Sequence, residues 1–124
     1  MIIGIGIDMV KVARIERALR QKGFKEQVFT PDEIAYCERK GAHSSESYAA
    51  RFAAKEALGK ALGTGIHRSE LLDAEILVNE RTGCPQLHLM GKLRAAALLR
   101  KVEQVHVSIS HTAGNAVAAV ILEE

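Results

Sequence analysis

The stretch Ile2-Ile3-Gly4-Ile5-Gly6-Ile7-Asp8-Met9-Val10 (residues 2–10) decides the fold. Side chains of a strand point alternately to opposite sides, so Ile3, Ile5, Ile7 and Met9 share one face and Gly4, Gly6 and Asp8 share the other. That second face is almost bare and ends in a carboxylate. Glycine inside a strand weakens it and marks a place where another backbone or a ligand comes close. A helix of small residues could pack there most closely. One is available: Glu46 to Leu62 is the longest helical segment, rich in alanine and leucine, free of proline and closed by Gly63-Thr64-Gly65.

Working outward, Lys11 to Gln21 reads as a helix with Val12, Ile15 and Leu19 at helical spacing and Gly23 as its stop. Thr30-Pro31-Asp32-Glu33 starts another, because Thr30 can cap, Pro31 suits the first turn and Glu33 sits three residues on. That helix should run to about Arg39 and break at Gly41. Ala74 to Val78 and Gln86 to Met90 read as a hairpin joined through Glu80-Arg81-Thr82-Gly83-Cys84-Pro85. Gly91 to Lys101 reads as a helix with a basic last turn. Val105 to Ser110 alternates with Val105, Val107 and Ile109 inward, and Gly114-Asn115 turns the chain into a last strand, Ala116 to Leu122. There is no repeat and no linker, so the expectation is one α+β domain over residues 1–124, a mainly antiparallel sheet wrapped on one long helix.

Composition narrows the function classes. The 124 residues are 48% hydrophobic and 26% charged, which argues against disorder. No apolar run approaches the ~20 residues of a membrane helix, and the Met1 end lacks the order of a signal peptide. No membrane partner is expected. Cys37 and Cys84 have no CxxC spacing; a single bridge between them is one reading, and two free thiols of a cytoplasmic protein is the favoured one. Aromatics are 4% with no tryptophan, which speaks against base stacking and a nucleic-acid partner. The net charge of +2 hides a local +5 between Lys11 and Lys25, on a remainder at −3. Arg14, Arg17 and Arg20 form a ridge on one helix side, and with Lys25 they suit an acidic partner.

The chemistry centres on Asp8 and Glu56. Phe52, Ala53, Glu56 and Lys60 fall at 3–4 spacing, so the carboxylate lies beside an apolar stripe. A Glu56–Lys60 helix ion pair is one reading, and for Asp8 a cap on the following helix is another. The alternative joins them. If the long helix packs on the bare strand face, two carboxylates meet and demand a shared proton or a cation. Oxygen-only ligation selects a hard ion such as Mg²⁺, completed by waters and substrate phosphates. Lys60 with Gly63-Thr64-Gly65 reads either as a phosphate cradle or as a helix C-cap. Ser108, Ser110, His111 and Thr112 gather at a strand end, either to bond a ligand phosphate or simply hydrated. Without a GxSxG elbow, a serine nucleophile is not expected. His43, His67, His88 and His106 show no metal-ligand spacing.

Five blocks carry a resemblance: Gly6-Ile7-Asp8 with Arg14-Ile15-Glu16; Phe29-Thr30-Pro31-Asp32-Glu33; Arg51-Phe52-Ala53-Ala54-Lys55-Glu56-Ala57; Lys60-Ala61-Leu62-Gly63-Thr64-Gly65; and Ser108-Ile109-Ser110-His111-Thr112. Together they resemble the holo-acyl-carrier-protein synthases, the short trimeric type of 4′-phosphopantetheinyl transferase, over essentially the whole chain. The resemblance implies that fold, a homotrimer, and transfer of 4′-phosphopantetheine from coenzyme A to a serine of acyl carrier protein, for fatty acid synthesis, with release of 3′,5′-ADP. It also implies Mg²⁺, with Mn²⁺ able to substitute, on Asp8 and Glu56. Arg51, Lys60, Gly63, Pro85, Ser110, His111 and Thr112 would hold coenzyme A, some of them across a subunit boundary. Arg14, Arg17, Arg20 and Lys25 would dock the carrier. One position departs from the family pattern: Cys84 precedes Pro85 where a basic residue is more usual, which bears on a contact near the adenine end.

The implied chemistry is attack of the carrier serine on the β-phosphate, helped by a metal-bound water or a nearby carboxylate as base. Asp8, Glu56 and Lys60 are its catalytic residues. Two rivals stand beside it: a non-catalytic module whose basic helix binds an acidic protein, and a Mg²⁺-dependent nucleotide hydrolase that uses water in place of the serine.

Overall fold

The bare face of the first strand does meet the long helix. In the computed structural model, which describes residues 1–124, β1 (Ile2–Lys11) lies directly on α4 (Ser44–Leu62). A Cβ built on Gly4 would stand 1.9 Å from the Ala61 carbonyl oxygen, and one on Gly6 would stand 1.9 Å from that of Ala57. No other residue fits at either position. The approach is closest where the helix itself carries only alanine, so both partners contribute to the short distance.

Between these two elements the chain forms α1 (Val12–Leu19), α2 (Phe24–Val28), α3 (Pro31–Glu38) and a 3-10 turn at Gly41–His43. After α4 come a 3-10 turn at Arg68–Asp73, then β2 (Ala74–Val78), β3 (Pro85–Leu89), α5 (Gly91–Leu99), β4 (Gln104–His111) and β5 (Asn115–Glu123). One antiparallel sheet has the order β1-β5-β4, and β2 and β3 pair as a separate hairpin. In the register Gly6 faces Val120 and Asp8 faces Ala118, so Ala116, Ala118, Val120 and Leu122 continue the inner face and are buried. The expected α+β class and its antiparallel sheet around one helix are what is observed.

The sheet's other face is open. Ile5, Ile7 and Met9 are 68%, 63% and 68% exposed, and Val117, Ala119 and Ile121 of β5 sit beside them.

Several boundaries differ from expectation for local reasons. Lys11 still belongs to β1, so α1 begins at Val12, and it ends at Leu19 rather than Gln21. The five-residue α2 is too short to leave a periodic signature. The α3 start is as read: Thr30 Oγ1 accepts from the Glu33 amide at 3.2 Å, and Glu33 Oε1 accepts from the Thr30 amide at 2.9 Å. The helix α4 starts two residues before Glu46. Helix α5 stops at Leu99 because Lys101 adopts a left-handed φ of 64°, from which the Val102 amide reaches back to the Ala97 carbonyl at 3.0 Å.

Candidate active site

Asp8 projects from the inner face of β1 toward the open line of α4. That helix is enclosed almost all round, and only Phe52, Glu56 and Lys60 in its second half reach solvent. Glu56 thus stands on the helix's one accessible stripe, in company with Phe52, and not beside a buried stripe as expected.

Lys60 Nζ donates to Asp8 Oδ1 at 3.0 Å and to the Ile7 carbonyl at 3.1 Å. The helix ion pair between Lys60 and Glu56 is therefore replaced by a bond across to the strand. Nor does Asp8 cap the next helix: the α1 N-cap is Lys11, and no side chain bonds there. Glu56 is half-buried, and burial pushes its carboxyl above the ordinary carboxylate range. The charge of Asp8 pushes it the same way, while Arg14 and Lys60 oppose. Two carboxylates thus feel each other across the strand–helix contact.

No group of three His, Cys, Asp or Glu residues gathers within the chain, so it offers no ready-made cage of the zinc type by itself. Two carboxylates fit a different ion, a hard cation that keeps water and takes the rest of its oxygens from a phosphorylated substrate. Asp8 and Glu56 are the residues that could hold it.

A second site lies at the other end of α4. A cavity of about 410 Å³ is lined by Arg51, Pro85 and His111 together with Tyr36, Lys40 and Glu46. Arg51 is buried; its Nε donates to the Ile76 carbonyl and its Nη1 to the Ser47 carbonyl, both at 3.2 Å. Its guanidinium carbon lies 4.2 Å from the Tyr36 ring centre. Its Nη2 is buried with no partner. A buried guanidinium nitrogen without an acceptor is costly, and an anionic ligand in the cavity would satisfy it. Glu46 Oε2 accepts from His43 Nδ1 at 3.1 Å, and His111 Nδ1 lies 3.7 Å from the same oxygen. Sequence reading missed Tyr36, Lys40 and Glu46, whose spacing carries no signal; the basic and aromatic residues before Gly41 were the only hint.

The remaining candidates divide. Ser110 lies opposite Val117 on the outer sheet face, away from His111. The Thr112 hydroxyl accepts from the Gly114 and Asn115 amides at 3.3 and 3.2 Å, so it shapes the β4–β5 turn. Gly63-Thr64-Gly65 forms the C-cap of α4: the Gly63 amide bonds the Lys60 carbonyl and the Gly65 amide bonds the Gly59 carbonyl, both at 3.0 Å, which leaves the Thr64 amide as the one without a backbone acceptor. Gly63 instead lies beside the Arg100 guanidinium.

On α1, Arg14, Arg17 and Arg20 are exposed on one side. Arg20 pairs with Glu16 at 3.2 Å, and Lys25 pairs with Glu38 at 3.2 Å. Arg14 leans over the Phe52 ring at 5.9 Å, toward Glu56. Within the ridge, Arg14 and Arg17 have no carboxylate partner.

Known proteins are similar to this chain in sequence and in fold. The model of the 4′-phosphopantetheinyl transferase superfamily matches residues 4–121. A holo-[acyl-carrier-protein] synthase from Solibacter usitatus is 48% identical over 126 residues, covering 99% of each chain. The crystal structure of a holo-(acyl-carrier-protein) synthase from Bacillus anthracis in complex with CoA (3′,5′-ADP) superimposes with a TM-score of 0.79 at 40% identity, over 98% of this chain and 96% of that one. The Neisseria meningitidis holo-[acyl-carrier-protein] synthase superimposes with a TM-score of 0.84 at 32% identity over the whole of both chains. The strand-on-helix contact that couples Asp8 to Glu56 is thus built on a shared framework, and the chain belongs to the 4′-phosphopantetheinyl transferase superfamily, among the holo-[acyl-carrier-protein] synthases.

Proposed function

We propose that this protein, as one domain over residues 1–124, transfers 4′-phosphopantetheine from coenzyme A to a serine of an acyl carrier protein and releases 3′,5′-ADP. The observation that carries the reading is the coupling of Asp8 and Glu56 with Lys60 at hand, 3.0 Å from Asp8. In the reaction the serine oxygen bonds to the β-phosphorus while the bond from that phosphorus to the bridging oxygen breaks; 3′,5′-ADP leaves with that oxygen and the electron pair, and the serine proton passes to a nearby carboxylate acting as base. A Mg²⁺ ion on Asp8 and Glu56, with Mn²⁺ able to substitute, would supply positive charge to the pyrophosphate as that bond breaks. Lys60 holds a second positive charge beside it, and its exposed stem leaves it free to move from Asp8 to a phosphate oxygen. The 410 Å³ cavity suits the nucleotide, with the unpartnered Nη2 of Arg51 for a phosphate and Pro85 for the base.

A homotrimer accounts for two further features. The open sheet face with Ile5, Ile7 and Met9 is the kind of contiguous apolar surface that another copy covers. Arg51 and Glu56 are five residues apart on α4, about 140° around the helix, so a single extended ligand meets both more readily from two subunits. Ser110, on the sheet's outer face, would then serve a neighbour's nucleotide.

The partnerless Arg14 and Arg17 suit an acidic carrier protein. Two free cysteines agree with a cytoplasmic enzyme serving fatty acid synthesis, and no helix is long and apolar enough to cross a membrane.

The test is release of 3′,5′-ADP from coenzyme A and Mg²⁺, with and without apo carrier. Release that requires the carrier is expected. Release without it identifies a hydrolase, and none in either case identifies a binding module.

A further inference from the structure

Lys55 and Glu33 are both fully buried and form an ion pair at 2.8 Å. A buried pair is weak evidence for stability, because desolvating two charges offsets most of their attraction. What distinguishes this one is where its hydrogen bonds go. Lys55 Nζ spends all three protons, on Glu33 Oε1, on the Val28 carbonyl at 2.6 Å and on the Leu71 carbonyl at 2.9 Å. Glu33 Oε1 also accepts from the Thr30 amide, and its Oε2 accepts from the Ile76 amide, both at 2.9 Å. Four segments are thereby tied to one turn of α4.

Two of those segments lead to the candidate active site. The side chains of Val28 and Leu71, with Phe24, Phe52 and Ile66, line a cavity of about 310 Å³ whose wall includes Glu56, the residue after Lys55. The two residues outside α3 whose carbonyls Lys55 grips, Val28 and Leu71, are therefore also residues of the cavity that Glu56 borders. Lys55 is one of the buried residues of α4, and Glu56, about 100° further round, falls on the helix's accessible stripe.

We infer that Lys55 and Glu33 are a positioning pair for Glu56: they fix the walls around it and hold its carboxylate where it shares a cation with Asp8. The inference rests on the proposed role of Asp8 and Glu56 as the cation-holding pair. A purely structural pair would change the melting temperature and leave cation binding by the folded protein untouched.

The experiment measures Mn²⁺ binding by electron paramagnetic resonance, with 3′,5′-ADP present, on wild type, Lys55→Met, the double variant Lys55→Met with Glu33→Gln, and Glu56→Gln. Each is held below its own melting transition. The double variant leaves no lone buried charge and is the decisive one if Lys55→Met does not fold. Removing partners that orient metal ligands typically weakens metal affinity roughly 10–100-fold, and that loss is expected for the folded Lys55 variants. Wild-type Mn²⁺ affinity in the folded double variant overturns the inference. Unchanged Mn²⁺ affinity in Glu56→Gln overturns the site assignment itself, and with it the inference, so the two failures are told apart.

A second measurement needs no variant. Coupling is reciprocal, so Mg²⁺ with 3′,5′-ADP should slow hydrogen exchange at the Thr30 and Ile76 amides more than along α5. Equal slowing in both places speaks against the coupling and overturns the inference.

Discussion

Gly6 lies so close to Ala57 that a Cβ on it would stand 1.9 Å from the Ala57 carbonyl oxygen. This contact sets the spacing between β1 and α4, and so the distance across which Asp8 and Glu56 act on each other. A backbone carbonyl in the middle of a helix cannot swing away, so Gly6→Ala must push the strand off the helix. The expected cost is about 3 kcal/mol or more, a fall in Tm of about 10 °C or more. Thermal unfolding followed by circular dichroism measures it. A variant that melts like wild type would mean the contact is looser than described.

Asp8→Ala and Glu56→Ala should each remove most turnover while the protein stays folded, since both side chains reach solvent and neither supports the core. Near-normal rates at saturating Mg²⁺ in either variant would refute the assignment.

Glu56 also predicts a pH effect on stability. Burial and the charge of Asp8 hold its carboxyl above the ordinary range, so the native protein binds this proton more tightly than the unfolded chain. Stability then falls as pH rises from the normal glutamate value of about 4.3 through the raised native value, and the loss is complete above it. In metal-free protein, Glu56→Gln should therefore melt higher than wild type at neutral pH, with the gain vanishing near pH ~4. A gain that persists undiminished in acid would show a cause other than ionisation.

Arg14 and Arg17 should carry most of the carrier docking, because Arg20 and Lys25 are each held by a carboxylate of this chain. Arg14→Glu with Arg17→Glu should raise the apparent KM for carrier about tenfold or more, equivalent to roughly 1.4 kcal/mol. Coenzyme A affinity should change by less than about twofold in Arg17→Glu alone, since Arg14 also stands beside Glu56, and added salt should weaken the wild-type effect by screening. An unchanged carrier KM would place docking elsewhere.

The cysteines should be chemically unequal and catalytically idle. Burial pushes the Cys37 thiol up to about 12, whereas Cys84 is exposed at the hairpin. A thiol reagent at neutral pH should label Cys84 alone until the protein unfolds. The Cys37→Ser, Cys84→Ser double variant should keep its catalytic rate when folded, and a loss would reveal a covalent step.

What the sequence made legible was local or periodic. The alternation through Gly4 and Gly6 announced a bare strand face, the alanines of Glu46–Leu62 announced its partner, and Thr30 with Glu33 announced a helix start. Those two elements alone raise the expectation that Asp8 and Glu56 come near each other, and in the fold the charge of Asp8 acts on Glu56. What stayed hidden depends on contacts between distant elements. Glu33 and Lys55 are 22 positions apart, and Glu33 reads only as part of a helix cap until α3 is packed on α4 and brings Lys55 to it. Arg51 entered through resemblance, and nothing in its spacing foretold a buried guanidinium with a vacant nitrogen. The accessible line at Phe52, Glu56 and Lys60 was misread because α4 is covered on nearly every side, which leaves no single apolar stripe to recognise. The glycines after Lys60 suggested free amides, yet a helix C-cap uses the same residues and consumes those amides.

The central claim is group transfer to a protein serine, and the mass of the acceptor reports it directly. Apo acyl carrier protein is incubated with coenzyme A, Mg²⁺ and this enzyme, and the intact carrier and its peptides are weighed. The account predicts the addition of one 4′-phosphopantetheine to one serine of the carrier, absent with Asp8→Ala or with a chelator and restored by Mg²⁺ or Mn²⁺. A carrier of unchanged mass, in a reaction where coenzyme A is cleaved or merely bound, would contradict it.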